Sequence, residues 1–220
     1  MPAQILSIQV GLPADLNTPN STDGHNRQWR SAIYKLPVSG PVAAGPNGLA
    51  GDGQADLRVH GGPDKAVYAY PSEHYRPWQA ELGLAEMPNG AFGENLTTLG
   101  LLEDEVCIGD VLQAGLVRLQ VSQPRGPCWK LARRWGIVDL ALRFGASGRT
   151  GFYLRLLQPG ELEAGQALLR VERPCPDWNV RRAHFLLEDP TSDRPAAASL
   201  AELPQLSQSC RKDLVKKLAL

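Results

Sequence analysis

The sequence predicts an α+β protein: a β-barrel core with flanking helices and a small helical subdomain at the carboxy terminus. Two observations carry this expectation. Short β-like runs, punctuated by glycine and proline clusters, recur along residues 1–172, a spacing that suits a barrel or a strongly bent sheet better than alternating βαβ units. After about Pro174 the strand patterns stop, and residues 173–220 read as three short helices broken by Pro190, Pro195 and Pro204. A chain of 220 residues is long enough for one substantial core with such an appendage.

In chain order, residues 4–10 alternate like a first strand. Residues 40–53, "GPVAAGPNGLAGDG", hold too many breakers for a regular element and read as a long loop. A strand over 66–70 is followed by a helix starting near Ser72, behind Pro71, whose first turns Pro77 would limit or kink. Further strands are expected over 107–113, 116–121, 152–157 and 167–171. Between the middle two, Leu131, Trp135, Val138 and Leu142 share one helical face, with Gly145 as a natural C-cap. The tail helices fall at 177–188, 196–203 and 208–218.

With 23 basic and 23 acidic side chains the net charge is zero, so no global field would gather nucleic acid or anionic lipid, and any anion site must be local. The first ten residues, "MPAQILSIQV", read as a strand rather than a signal peptide. No apolar run approaches the ~20 residues of a membrane helix. Cys107, Cys128, Cys175 and Cys210 are irregularly spaced with no C-x-x-C pair, which argues against zinc and against a disulfide framework. The expected setting is a reducing cytoplasm, without nucleic-acid or membrane partners.

One cysteine stands apart. "SQPRGPCWKL" places Cys128 between rigid prolines, with Arg125 and Lys130 on either side and a helix start just beyond. Positive charge and a helix amino terminus favour the thiolate, the form that binds soft metals or attacks electrophiles. Pro124 and Pro127 pre-shape the loop, so a group docking on the sulfur need not order it. An ordinary buried core cysteine is the competing account, and it suits Cys107, Cys175 and Cys210 well. A second stretch, "VHGGPDKAVYAYPSEHY", exposes two successive glycines beside Arg58, His60 and Lys65, either as an anion-binding nest or as a plain turn. In a third, "GAFGENLTTLG", Glu94 serves as a capping or salt-bridging residue as readily as an acid or base. "GLAGDG" lacks the lysine and hydroxyl ending of a phosphate loop.

Taken in order, "LRVHGGPDKAVYAYPSEHYRPW", "GAFGENLTTLGLLEDEVCIGDVLQAG", "LQVSQPRGPCWKLA" and "GFYLRLLQPGELEAG" resemble the motif series of the MOSC domain, the module related to the carboxy-terminal part of molybdenum cofactor sulfurases. The tail resembles the three-helix segment of its stand-alone YiiM-type branch. The resemblance implies a MOSC β-barrel over residues 1–172 followed by a three-helix segment, binding the molybdenum cofactor (Mo-molybdopterin). Cys128 would be the thiolate ligand to molybdenum and the catalytic residue. His60, Gly61, Gly62 and Lys65 become candidates for gripping the pterin and its phosphate. So do Asn95, Gln123, Arg125 and Lys130, while Tyr70, His74, Phe92 and Asn95 could shape a substrate mouth. The implied activity is reduction of N-hydroxylated compounds of the hydroxylaminopurine type. No flavin or haem motif occurs, so electrons would come from an external redox protein of the flavin reductase type. Two other readings stay open: a non-catalytic cofactor or sulfur carrier, and a cysteine hydrolase with Cys128 as nucleophile and His60 as base.

Overall fold

The computed structural model describes residues 3–17, 28–57 and 61–219. Its strands in chain order are β1 (Gln4–Val10), β2 (Ala14–Asn17), β3 (Gln28–Ser31), β4 (Leu36–Pro37), β5 (Val42–Gly45), β6 (Gly48–Leu49) and β7 (Val67–Pro71). They continue as β8 (Leu96–Leu99), β9 (Val111–Ala114), β10 (Val117–Pro124), β11 (Phe152–Gln158), β12 (Gly160–Leu162) and β13 (Leu169–Glu172). Eight of them form one sheet in the order β13-β9-β10-β11-β7-β8-β1-β4. Only β7 and β8 run parallel among the described pairs.

The sheet curls until its ends meet. The backbone just ahead of β13 bonds to β1: Ile5 N donates to Gln166 O (2.9 Å), Gly165 N to Ile5 O (2.7 Å) and Leu168 N to Ala3 O (2.8 Å). Closure removes most of the free edge that an open sheet would expose. Register shifts supply the bends, one in β1 at Ile5/Ser7 and two in β10, at Arg118/Leu119 and Val121/Gln123. Such bulges increase local twist and re-aim side chains, and the second lies where β10 runs into the Cys128 loop.

Alternate residues of β1, β9, β10 and β11 fill the barrel, with Ile5, Ile8, Leu112, Leu119, Val121 and Leu154 all at 1 % exposure or less. The breaker-rich stretch 40–53, expected as a loop, instead holds the β5–β6 hairpin, which pairs with β12 as a small second sheet. The expected strand over 107–113 regularises only from Val111, because Cys107 to Asp110 form a turn closed by Asp110 Oδ2 accepting from Cys107 N (2.9 Å).

Among the described residues six α-helices flank the barrel: α1 (Tyr75–Leu82), α2 (Trp129–Trp135), α3 (Leu140–Ser147), α4 (Val180–Glu188), α5 (Arg194–Ala201) and α6 (Gln208–Leu218). Pro77 does not kink α1. A 3-10 turn over Ser72–His74 leads in, and Pro77 then lies in the first α-helical turn, where a missing N–H costs nothing. The single helix expected after Cys128 is two. Gly136, at φ +68°, ends α2 in the left-handed conformation that favours glycine. Val138 and Leu142 therefore leave the expected buried face and are 95 % and 75 % exposed. Gly145 lies inside α3, whose C-cap is Gly148. Over α1 and α3 lies an aromatic cluster in which Tyr70 stacks on Phe92 at 4.4 Å and accepts from Trp78 Nε1 at 2.8 Å.

The tail helices begin where side chains cap them: Asn179 accepts from Arg182 N, Asp193 from Ala196 N and Ser207 from Cys210 N. Their buried residues, Val180, Ala183, Leu200 and Leu214 among them, belong to the same apolar cluster as the barrel interior. Ser207 N also donates to Ser122 O on β10 (2.9 Å).

Candidate functional site

At the end of the barrel where β10 runs out lies a cleft of about 570 Å³, counting its open mouth. Its walls come from distant parts of the chain. Lys35 and Asp52 contribute one side, Lys65 and Tyr68 another, Phe92 and Asn95 a third, and Arg125, Cys128, Lys130 and Tyr153 the last. Register explains part of this convergence: Gln123 pairs with Tyr153 across β10 and β11, and Tyr153 with Tyr68 across β11 and β7.

Cys128 is the extended N-cap residue of α2, at φ −139° and ψ 128°, and its half-buried side chain lines the cleft. It is not disulfide-bonded. The loop that carries it is pinned by Arg125 N donating to Gly151 O (3.2 Å). Gly151, at φ +66°, approaches β7 so closely that a Cβ there would stand 2.3 Å from Ala69 O, so only glycine fits.

Arg125 is 6 % exposed. Its guanidinium lies 5.2 Å from the Tyr68 ring centroid and 5.0 Å from that of Phe144, donates to Gly126 O (3.3 Å), and hydrogen-bonds the Tyr153 side chain. Among the described residues it has no carboxylate partner. A buried cation without a counter-ion is costly, and ring faces offset only part of that; an anion in the cleft would complete it. Burial pushes the hydroxyls of Tyr68 and Tyr153 above the usual tyrosine range, against the opposing pull of Arg125. Both stay neutral at physiological pH, and Tyr68 donates to Thr150 O (2.7 Å).

Opposite lies a buried ion pair, Lys35 with Asp52, their side chains 7 % and 1 % exposed. Asp52 also accepts from Gly11 N and from Asn95 Nδ2, both at 2.9 Å. Burial lowers the Lys35 ammonium below its usual range, and the neighbouring Asp52 opposes that. Asn95 spends its amide on the scaffold, accepting from Tyr68 N (3.0 Å) and donating to Gln9 O (3.3 Å) as well as to Asp52. It lines the cleft chiefly as a brace.

Of the residues expected at the site, Lys65, Asn95, Arg125, Cys128 and Lys130 therefore share one cleft. Gln123 does not line it. It faces a neighbouring hollow under the tail, its Nε2 donating to Pro124 O (3.1 Å) and its Oε1 accepting from Ser209 (3.2 Å). Gly61 and Gly62 lead into the 3-10 turn that sets Lys65 in the wall and do not themselves line the cleft. His60 and Arg58 lie outside the described residues. Phe92 lines the mouth, whereas Tyr70 is fully buried and His74 pairs with Glu103 (2.7 Å). Glu94 is a brace: its carboxylate accepts from the N–H groups of Gly90 and Phe92 and from the Tyr75 and Thr97 hydroxyls. Sequence reasoning missed Lys35, Asp52 and Tyr153, because no local pattern marks them.

The donor set is one soft sulfur, four cations, of which Lys35 is paired with Asp52, and flat aromatic walls. It suits a flat, anionic group with an affinity for sulfur. Among the described residues no cluster of three or more His, Cys, Asp or Glu could hold a metal by itself, so such a group must bring most of its own ligands. Arg125→Met tests the anion half of this. With similar bulk and no charge, the variant is expected to keep its stability or gain about 1 kcal/mol; inorganic phosphate should raise the melting temperature of the wild type and not that of the variant. Equal phosphate stabilisation of both proteins would contradict it.

The MOSC domain family model matches residues 56–169. Protein YiiM of Escherichia coli (strain K12) is 44 % identical over 193 residues, covering 85 % of this chain and 84 % of that one. The uncharacterized protein YflK of Bacillus subtilis (strain 168) is 39 % identical over 213 residues, 97 % and 93 % of the two chains. A protein of Gibberella moniliformis named reductase is 36 % identical over 179 residues, which are 79 % of this chain and 31 % of that one. The crystal structure of YiiM from Geobacillus stearothermophilus superposes with a TM-score of 0.81 at 39 % identity, covering 99 % of this chain and all of that one.

Proposed function

Because the chain belongs to the MOSC domain family, we propose that it is a molybdenum-cofactor-dependent reductase of N-hydroxylated compounds, with Cys128 as the thiolate ligand. The observation that carries this reading is a cleft combining one accessible sulfur with a buried guanidinium that has no carboxylate partner among the described residues. The cofactor brings its own pterin sulfurs, so a single protein thiolate and a set of cations are what the chain must add. Arg125, Lys65 and Lys130 would hold the anionic end, and Tyr68, Tyr153 and Phe92 would bound the flat ring system.

When bound, the group supplies a two-electron centre able to take oxygen from nitrogen. The overall change is R–NHOH plus two electrons and two protons giving R–NH2 and water. The chain's own residues orient and insulate that exchange: the aromatic walls exclude water, and Cys128 is held by a proline-braced loop, so its position is set before anything docks. The Lys35–Asp52 pair fixes the opposite wall. The relative named reductase supports an oxidoreductase over a carrier, and a buried Arg125 with no carboxylate partner among the described residues supports an anionic occupant over hydrolase chemistry.

The test is turnover. Protein matured in a host that makes the cofactor should contain near-stoichiometric molybdenum and reduce an N-hydroxylaminopurine with a chemically reduced viologen as donor. Metal without turnover would support the carrier instead. Active-site labelling of Cys128 by acyl traps in metal-free protein would support the hydrolase.

A further inference from the structure

The three-helix tail reaches the cleft through one carboxylate. Asp64 lies in the 3-10 turn Pro63–Lys65, immediately before Lys65, and is not part of the cleft wall. Both of its oxygens are engaged: Oδ2 accepts from Gln208 N at the start of α6 (2.9 Å), and Oδ1 pairs with Arg155 on β11 (3.0 Å). A carboxylate suits that place, because the first N–H groups of a helix have no partner within it. The main chain of the turn is held as well, with Ser122 Oγ donating to Asp64 O (2.5 Å) and Lys65 N to Gly62 O (2.9 Å).

The same helix start is stitched to β10. Ser207 N donates to Ser122 O (2.9 Å) and Ser209 Oγ to Gln123 Oε1 (3.2 Å), just ahead of Arg125. Ser207, Gln208 and Ser209 thus bond the two chain segments that bring Lys65 and Arg125 into the cleft. Both cations also face the hollow beneath the tail, beside Gln123, Ser209 and Cys210. A lysine has a flexible four-carbon stem, so the backbone beneath it decides which points its ammonium reaches. An opposite charge one residue away would compete with an anion for that ammonium, and the bonds to Gln208 and Arg155 direct the Asp64 carboxylate to the tail and to β11 instead.

We infer that Asp64 is a positioning residue of the anion site: by binding the first turn of α6 and Arg155 it fixes the turn that presents Lys65 to the anionic end of the occupant, which makes the tail a working part of the cleft. The inference rests on the anionic occupant proposed above. It separates two jobs of α6. Cys210 and Leu214 pack the helix into the apolar cluster of the barrel, and the polar first turn sets Lys65. The second job can therefore be removed without detaching the tail.

Binding of inorganic phosphate to the purified chain, followed by calorimetry at neutral pH, tests this. Gln208→Pro removes the N–H that bonds Asp64 and little else: the side chain is exposed, the position is the first of α6, where proline is tolerated, and Ser207 before it is already extended at ψ 149°. Gln208→Pro and Asp64→Ala should each weaken phosphate binding by about threefold or more, within the range of couplings between residues of one hydrogen-bond network. Neither should weaken it further once Lys65→Met is present, because the effect runs through Lys65. Arg194→Ala removes a hydrogen bond to Leu218 O at the far end of α6 (2.7 Å) and should leave phosphate binding unchanged, which a general loosening of the tail would not. Wild-type affinity in Gln208→Pro and Asp64→Ala, a loss just as large in the Lys65→Met background, or an equal loss in Arg194→Ala would each overturn the positioning role and leave the anion reading standing. A wild type that binds no phosphate would overturn both together.

Discussion

Cys128→Ala should lower the molybdenum content of protein matured in a cofactor-competent host by more than about tenfold, since even residues that merely support a metal ligand cost that much when removed. Turnover should fall with the metal. The fold should survive: the residue is half-buried in an extended conformation that alanine adopts without strain, so the stability change should stay within about 1 kcal/mol. Cys107→Ala is the matched comparison. Burial, with Asp110 adding to it, pushes that thiol above its usual range, and its sulfur donates to Pro176 O (3.3 Å). Burial likewise raises Cys175 and Cys210. Those three keep their protons near neutrality and are poor metal ligands. Elemental analysis of the two variants separates the cases: full molybdenum in Cys128→Ala, or equal loss in Cys107→Ala, would remove the basis for the thiolate assignment.

What could be read from the sequence follows the range over which each feature is determined. β1 over Gln4–Val10 and α6 over Gln208–Leu218 match their expected bounds, because alternation in one and a serine cap in the other are written within a few residues. The Cys128 loop was legible for the same reason: prolines, flanking cations and the helix start all lie within the stretch from Ser122 to Leu131. Helix continuity after it was not, since Gly136 could pass as a tolerated interior glycine until its left-handed conformation is seen. The β5–β6 hairpin hid among breakers because its stability comes from pairing with β12, far along the chain. The opposite wall of the cleft had no local signature at all. Lys35 meets Asp52, and Asp52 meets Asn95 forty-three residues on, only because the β3–β4 connection, the segment after β6 and the entry to β8 converge at one end of the barrel.

A single change in that wall should also cost the fold heavily. Lys35→Met leaves Asp52 buried at 1 % exposure with its charge uncompensated, and breaking such a pair costs about 3 kcal/mol or more. For a chain of this size that is a fall in melting temperature of roughly 6–12 °C. The donations from Gly11 N and Asn95 Nδ2 hold the carboxylate in place but do not neutralise it. Pairing Lys35→Met with Asp52→Asn removes both charges, keeps an acceptor for the Gly11 N–H, and should recover most of the loss. Thermal melts of the single and double variants at neutral pH measure the loss and its recovery. A single variant as stable as the wild type, or a double variant no better than the single, would mean that the Lys35–Asp52 pair does not hold this wall of the cleft.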